Sequence, residues 1–111
     1  MSGSVETAWP LAGASPGQIV VLARWSPAPG SHEDIRALLP DLVRASRSEP
    51  GCLGHQLFHP EGDGGDILLV ERYADHSTMD AHKESPHFRD LALGRIAPLL
   101  RDRHIVVTTV E

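Results

Sequence analysis

A single cysteine, Cys52, in 111 residues leaves no partner for an internal bridge, which excludes a disulfide-framed secreted scaffold and points to a reducing compartment. Positive charge is also in short supply: ten Lys and Arg stand against fifteen Asp and Glu, a formal net charge of −5. A phosphate-binding surface needs a positive field, so nucleic acid is not expected as a partner. No apolar run approaches the roughly 20 residues of a membrane helix, and the segment MSGSVETAW has neither the basic nor the apolar region of a secretory leader. A soluble, cytoplasmic protein with no membrane partner is expected. No glycine-rich dinucleotide fingerprint or phosphate loop occurs, since EGDGGD neither follows the required strand nor opens a helix. Flavin and nicotinamide are therefore not expected, and no cofactor is assigned.

The length suits one domain with one core, large enough to fold without disulfides or a structural metal. Residues 1–18 mix Gly, Ser, Pro and Ala without a hydrophobic period and read as a tail or arm, anchored if at all by Trp9 and Leu11. Residues 19–111 carry the regular signals. The run IVVLARW, from Ile19 to Trp25, is apolar on both parities, as a strand buried on both faces should be. Ser31, with Asp34 three positions later, predicts a near capping box. A helix follows with Ile35, Leu38, Leu39, Leu42 and Val43 on one stripe, kinked at Pro40 and stopped by Pro50-Gly51. Cys52 to His59 and Ile67 to Tyr73 read as a hairpin around the turn formers PEGDGGD. Asp75 caps a short helix through Met79 and His82, and Ser85-Pro86 restarts helix over Phe88, Leu91, Ala92, Ile96 and Leu99, broken at Gly94 and Pro98. His104 to Val110 is a β-branched last strand.

The order β-α-β-β-α-β implies an α+β domain in which helices pack on one face of a four-stranded antiparallel sheet. Two helical regions cover only one face, yet the first and third strands are apolar on both. The economical cover for the second face is another copy of the chain, so a homodimer is expected.

Several residues stand out for chemistry. Glu71 sits in a strand otherwise made of Ile, Leu and Val, where an unpaired carboxylate would cost several kcal/mol, so it needs a partner or a cavity. His82, on the helix that follows, is the candidate partner. A His oriented by a carboxylate takes a proton from an acidic phenol or carbon near neutral pH; the plainer alternative is an ion pair tying helix to sheet. Tyr73 and Trp25 are candidate walls of a pocket for a flat aromatic substrate, with core or dimer packing as the alternative. Arg24 and Arg72 point to the opposite face. Seven histidines raise the question of a metal, but His55 and His59 are roughly 13 Å apart along a strand, and His82 and His87 straddle the Ser85-Pro86 break. No metal site is expected. Cys52 reads as a small buried hydrophobe.

The stretches IVVLARWSPAPGSHEDI, EPGCLGHQLFHP, ILLVERYAD and AHKESPHF make the chain from Ile19 to Val110 resemble the antibiotic biosynthesis monooxygenase family. That resemblance implies a ferredoxin-like fold dimerising through its sheets, with one pocket per subunit between sheet and helices. Glu71 in VERYAD and His82 in AHKESPHF match the family's recurring Glu and His. Chemistries implied include cofactor-free oxygenation of quinols and anthrones, haem degradation and isomerisation of small metabolites. Haem degraders of this family use an Asn, a Trp and a His where this chain has Ala23, His82 and Ala92, so haem degradation is not expected. The expected function is a cofactor-independent monooxygenase acting with molecular oxygen on a quinol, anthrone or similar hydroxylated aromatic. His82 would be the base, Glu71 its orienting partner, and Tyr73 and Trp25 the walls. An isomerase on the same fold, or a non-enzymatic dimeric ligand-binding or stress protein, are the alternatives.

Overall fold

In the computed structural model, which describes residues 11–59 and 64–111, the β-branched segment Ile19–Pro27 (β1) forms a central strand of a four-stranded antiparallel sheet. It is followed by the helix His32–Arg47 (α1), the strands Cys52–Phe58 (β2) and Ile67–Tyr73 (β3), and the helix His76–Glu84 (α2). A π-helical segment, Phe88–Ile96, and a short 3₁₀ turn, Ala97–Leu99, then lead into the strand Leu100–Thr109 (β4). The sheet order is β2-β3-β1-β4, and the helices share one face. This is the ferredoxin-like α+β fold expected from the element order. Among the described residues no helix is long and apolar enough to cross a membrane.

Register decides what faces the helices. Ile19 pairs with Tyr73, Val21 with Glu71, Ala23 with Leu69 and Trp25 with Ile67, so these residues point together to one side. There they meet Ile35, Leu39 and Leu42 of α1 and Ala92 and Ile96 of the π-helical segment in one apolar cluster, while Tyr73 and Met79 pack with Ile19 and Val21 in a second. On the far side Leu22, Phe58, Leu68 and Val106 are 41–53% exposed. The second apolar face read from the strands is thus present and has no cover among the described residues.

Several local expectations need correction. Ser31 makes no side-chain cap bond, because its backbone already has helical angles (φ −101°, ψ −5°) rather than the extended geometry that aims a capping oxygen at the first turn. Pro40 lies inside α1, as the sequence predicts, and α1 ends at Arg47, ahead of Pro50-Gly51. The chain does break after α2, at the extended Ser85 (φ −67°, ψ 149°), but Gly94 lies inside the π-helical segment rather than breaking it, and β4 begins four residues before His104. Asp75 does cap α2, in a reciprocal capping box with Thr78, and Ser85 accepts the backbone N–H of Phe88. The Trp9 anchor and the residues 60–63 of the hairpin loop lie outside the described residues. The end of the tail is paired with the end of the chain: Gly17 donates to the carbonyl of Val110, and Val110 to that of Gln18, each at 2.9 Å.

Candidate functional site

The β3 register places Glu71 and Tyr73 on the helix side, and α2, docked across the end of the strand, lays His82 over them. All three are under one-tenth exposed. Tyr73 donates its hydroxyl to Glu71 Oε1 at 2.5 Å, and His82 Nε2 lies 3.7 Å from the same oxygen. Burial pushes the Glu71 carboxyl above its ordinary value, opposed by the Tyr73 hydrogen bond and by His82. Burial likewise drives the Tyr73 hydroxyl far upward, reinforced by the Glu71 charge, so it stays a donor.

Two further histidines and a second carboxylate complete the cluster. β2 pairs with β3 so that His55 stands opposite Glu71, its Nε2 3.9 Å from Glu71 Oε2. Burial, with the neighbouring His82 and Arg47, pushes the His55 imidazole down to about 4, so it is neutral at physiological pH. Glu49 lies in the turn after α1, and its Oε2 accepts from His82 Nδ1 at 2.8 Å and from His87 Nε2. That turn reaches α2 because position 51 is glycine. Gly51 has φ +83°, and a Cβ there would lie 2.3 Å from Thr78 Cγ2 in the first turn of α2. The Gly51 carbonyl also accepts the N–H of Ala74 at 2.9 Å.

Between sheet and helices is a cavity of about 170 Å³, walled by Trp25, Tyr73, Met79 and Phe88, with Glu71, His82, Lys83 and Arg103 as its polar groups. Its outer side is formed by Ile105 and Val107 of β4, which are half-exposed. His82 is clasped between Tyr73 and the edge-on ring of Phe88, with centroids 5.3 and 5.1 Å away. The arrangement joins a largely apolar cavity to an imidazole whose Nδ1 is tied to a carboxylate and whose Nε2 has no partner within hydrogen-bond range among the described residues.

The four residues singled out in the sequence, Glu71, His82, Tyr73 and Trp25, therefore line one cavity. The carboxylate hydrogen-bonded to His82 is Glu49, however, and Glu71 sits beyond hydrogen-bond range of it. Trp25 is both wall and core. Sequence reasoning missed Glu49, His55 and His87. Glu49 reads as a solvated residue of a helix-ending turn, and its role appears only once Gly51 has docked on α2. His55 was within reach, since aligning the hairpin strands sets it across from Glu71. The break at Ser85-Pro86 does not separate His82 and His87, because both rings turn to the same Glu49 oxygen. Arg24 and Arg72, on the other face, have partners within the chain: Arg24 lies near Asp66, Asp102 and His104, and Arg72 donates to Gln18. Burial pushes the half-buried Cys52 thiol up, so it is not a ready nucleophile.

A family model described as antibiotic biosynthesis monooxygenase matches residues 18–92. A relative named "Putative monooxygenase Rv0793", from Mycobacterium tuberculosis, is 37% identical over 70 residues, covering 63% of this chain and 68% of its own. Its solved structure superposes with a TM-score of 0.76 at 32% identity, over 85% of this chain and 95% of that one. "Putative monooxygenase YcnE" of Bacillus subtilis is 30% identical over 71 residues, 64% of this chain and 75% of its own.

Proposed function

The chain belongs to the antibiotic biosynthesis monooxygenase family, and we propose from this that it is a homodimeric, cofactor-independent monooxygenase acting on a quinol, anthrone or similar hydroxylated aromatic. The observation that carries the reading is the His82 imidazole at an apolar cavity walled by Trp25, Tyr73 and Phe88. His82 Nε2 removes the substrate's hydroxyl proton, and Glu49, bonded to Nδ1, holds the ring and stabilises the imidazolium. Glu71 faces the same nitrogen and favours the charged ring when ionised. The resulting electron-rich anion is oxidised by molecular oxygen. One oxygen atom enters the ring, the other leaves as water, and the quinol supplies the electrons by ending as a hydroxyquinone. The protein contributes a base, orientation and a dry slot.

Cavity size narrows the substrate. A buried space of about 150 Å³ takes one benzene ring, so about 170 Å³ suits a single substituted ring. A tricyclic anthrone would have to extend past Ile105 and Val107. On this reading the chain works in the cytoplasm, where the lone Cys52 thiol has no need of a partner. Oxygen uptake by metal-stripped, tag-free protein with a panel of quinols and anthrones tests the proposal. We expect turnover on a single-ring quinol, one oxygen consumed per hydroxyquinone, and a loss of roughly 10²–10⁴-fold in His82→Ala. Product formed without oxygen would favour an isomerase; saturable binding with no turnover would favour a ligand-binding protein.

A further inference from the structure

Three donor groups from three elements converge beside the cavity without satisfying one another. His55 of β2, Glu71 of β3 and His82 of α2 each place one ligand atom within 4.8 Å of the others. The two nitrogen-to-carboxylate separations, 3.7 and 3.9 Å, exceed a hydrogen bond. They are also only slightly longer than the roughly 3.0–3.4 Å between donors that share a first-row metal ion at bond lengths near 2.1 Å. The two distances run to different oxygens of Glu71, and the three donor atoms lie within 4.8 Å of one another, so the side chains must draw together for all three to share one ion.

The orientation of the two rings matches the spacing. His82 Nδ1 lies 2.8 Å from Glu49 Oε2, so Nε2 is the ring nitrogen turned toward Glu71. An imidazole held from behind by a carboxylate is the arrangement that orients histidine ligands in metal proteins. His55 is almost wholly buried, and its Nδ1 has no hydrogen-bond partner among the described residues. Its Nε2 is the ring nitrogen that faces the same carboxylate. A cation between the two nitrogens and the carboxylate would give all three groups a common partner. The neighbouring set of Glu49, His82 and His87 differs, because there the donor atoms already meet as hydrogen bonds and leave no gap.

We propose that His55 Nε2, the Glu71 carboxylate and His82 Nε2 form a site for one first-row divalent transition-metal ion, with Glu49 orienting His82 from behind. Two nitrogens and a carboxylate suit zinc, cobalt, nickel or ferrous iron rather than calcium or magnesium. Open coordination positions would face the cavity. If His82 is the base, as proposed above, the ion and proton abstraction compete for the same lone pair. Occupancy then switches the base off.

The test is titration of metal-stripped, tag-free protein with Co²⁺ and Zn²⁺ against a chelating indicator. One ion per chain is expected, with Co²⁺ shifting the ring-proton NMR signals of His55 and His82 and sparing those of exposed His104. His55→Leu and Glu71→Gln should each weaken binding by more than the roughly 10–100-fold expected for Glu49→Gln, in variants whose circular dichroism shows a folded chain. His87→Ala keeps all three donor atoms and should change affinity by less than about tenfold. Loss of binding in His87→Ala but not His55→Leu would place the ion in the other cluster and overturn the proposal. So would Co²⁺ shifts confined to exposed histidines in the unmutated chain, which no folding defect could explain. Zinc should inhibit oxygen uptake with a midpoint at its binding constant. Turnover that requires the ion would overturn the competition and the cofactor-free reading while leaving the site in place; absence of binding would remove the site and leave that reading standing.

Discussion

His55 makes the folded state sensitive to acid. Its folded value of about 4 lies below the ordinary 6.5, so between these limits the unfolded chain binds the extra proton. The stability contributed is full above about pH 6.5 and is lost as pH falls toward 4, by on the order of 3 kcal/mol. Glu71 runs in the opposite sense, since a raised carboxyl makes stability fall as pH rises through its folded value. Urea denaturation of the wild type and His55→Leu from pH 4 to 8 separates the two: the difference in stability should shrink or reverse toward pH 4, and a constant difference would place the titration elsewhere. Tyr73→Phe removes the hydrogen bond at Glu71 and should cost about 1–3 kcal/mol. The loss should grow as pH rises through the folded value of this raised carboxyl, because the bond to the ionised carboxylate is the stronger one. At this scale the sequence was informative wherever a polar residue broke an apolar pattern, as Glu71 does in ILLVERY. Glu49 breaks no pattern, because a turn of Ser, Glu, Pro and Gly is polar anyway.

Among the elements, the α1–β2 turn sets the position of α2. Gly51→Ala meets two costs: a left-handed backbone angle, worth about 1–2 kcal/mol for a residue with a Cβ, and overlap with Thr78, worth about 1–3 kcal/mol. Denaturation should show a loss of roughly 2–5 kcal/mol from these terms together. Adding Thr78→Ser removes the nearest methyl but keeps the capping hydroxyl, so it should recover part of the loss. No recovery would mean that the backbone angle alone is responsible. Strands and α2 were legible because alternation, β-branching and an Asx cap are local properties. The π-helical segment was not. Its apolar residues, Ala92 and Ile96 among them, satisfy an α-helical stripe equally well, and what selects the wider turn is backbone bonding. Gly94 hints at it afterwards, since a Cβ there would sit 3.2 Å from the Arg89 carbonyl, five residues back.

For the molecule as a whole, the uncovered face of the sheet is the feature on which the proposed homodimer rests. The proposed homodimer should bury more than about 1,000 Å² in total across Leu22, Phe58, Leu68 and Val106. Sedimentation at micromolar concentration should give a dimer, and Leu68→Asp with Val106→Asp a monomer; a wild-type monomer would refute the association. This face was readable from strand parity, whereas the cavity on the other side depends on how far the helices reach across β4, which no local pattern encodes. The position of Trp25 also makes the chain its own reporter. The chain has only one other tryptophan, Trp9, so in a Trp9→Phe background the ultraviolet emission comes from a single indole, 5% exposed and part of the cavity wall. Emission from so dry a site should be blue-shifted, and a ring entering the cavity should quench it by contact. Candidate substrates can therefore be sorted by fluorescence before any product is known, with turnover measured only for those that dim the lamp.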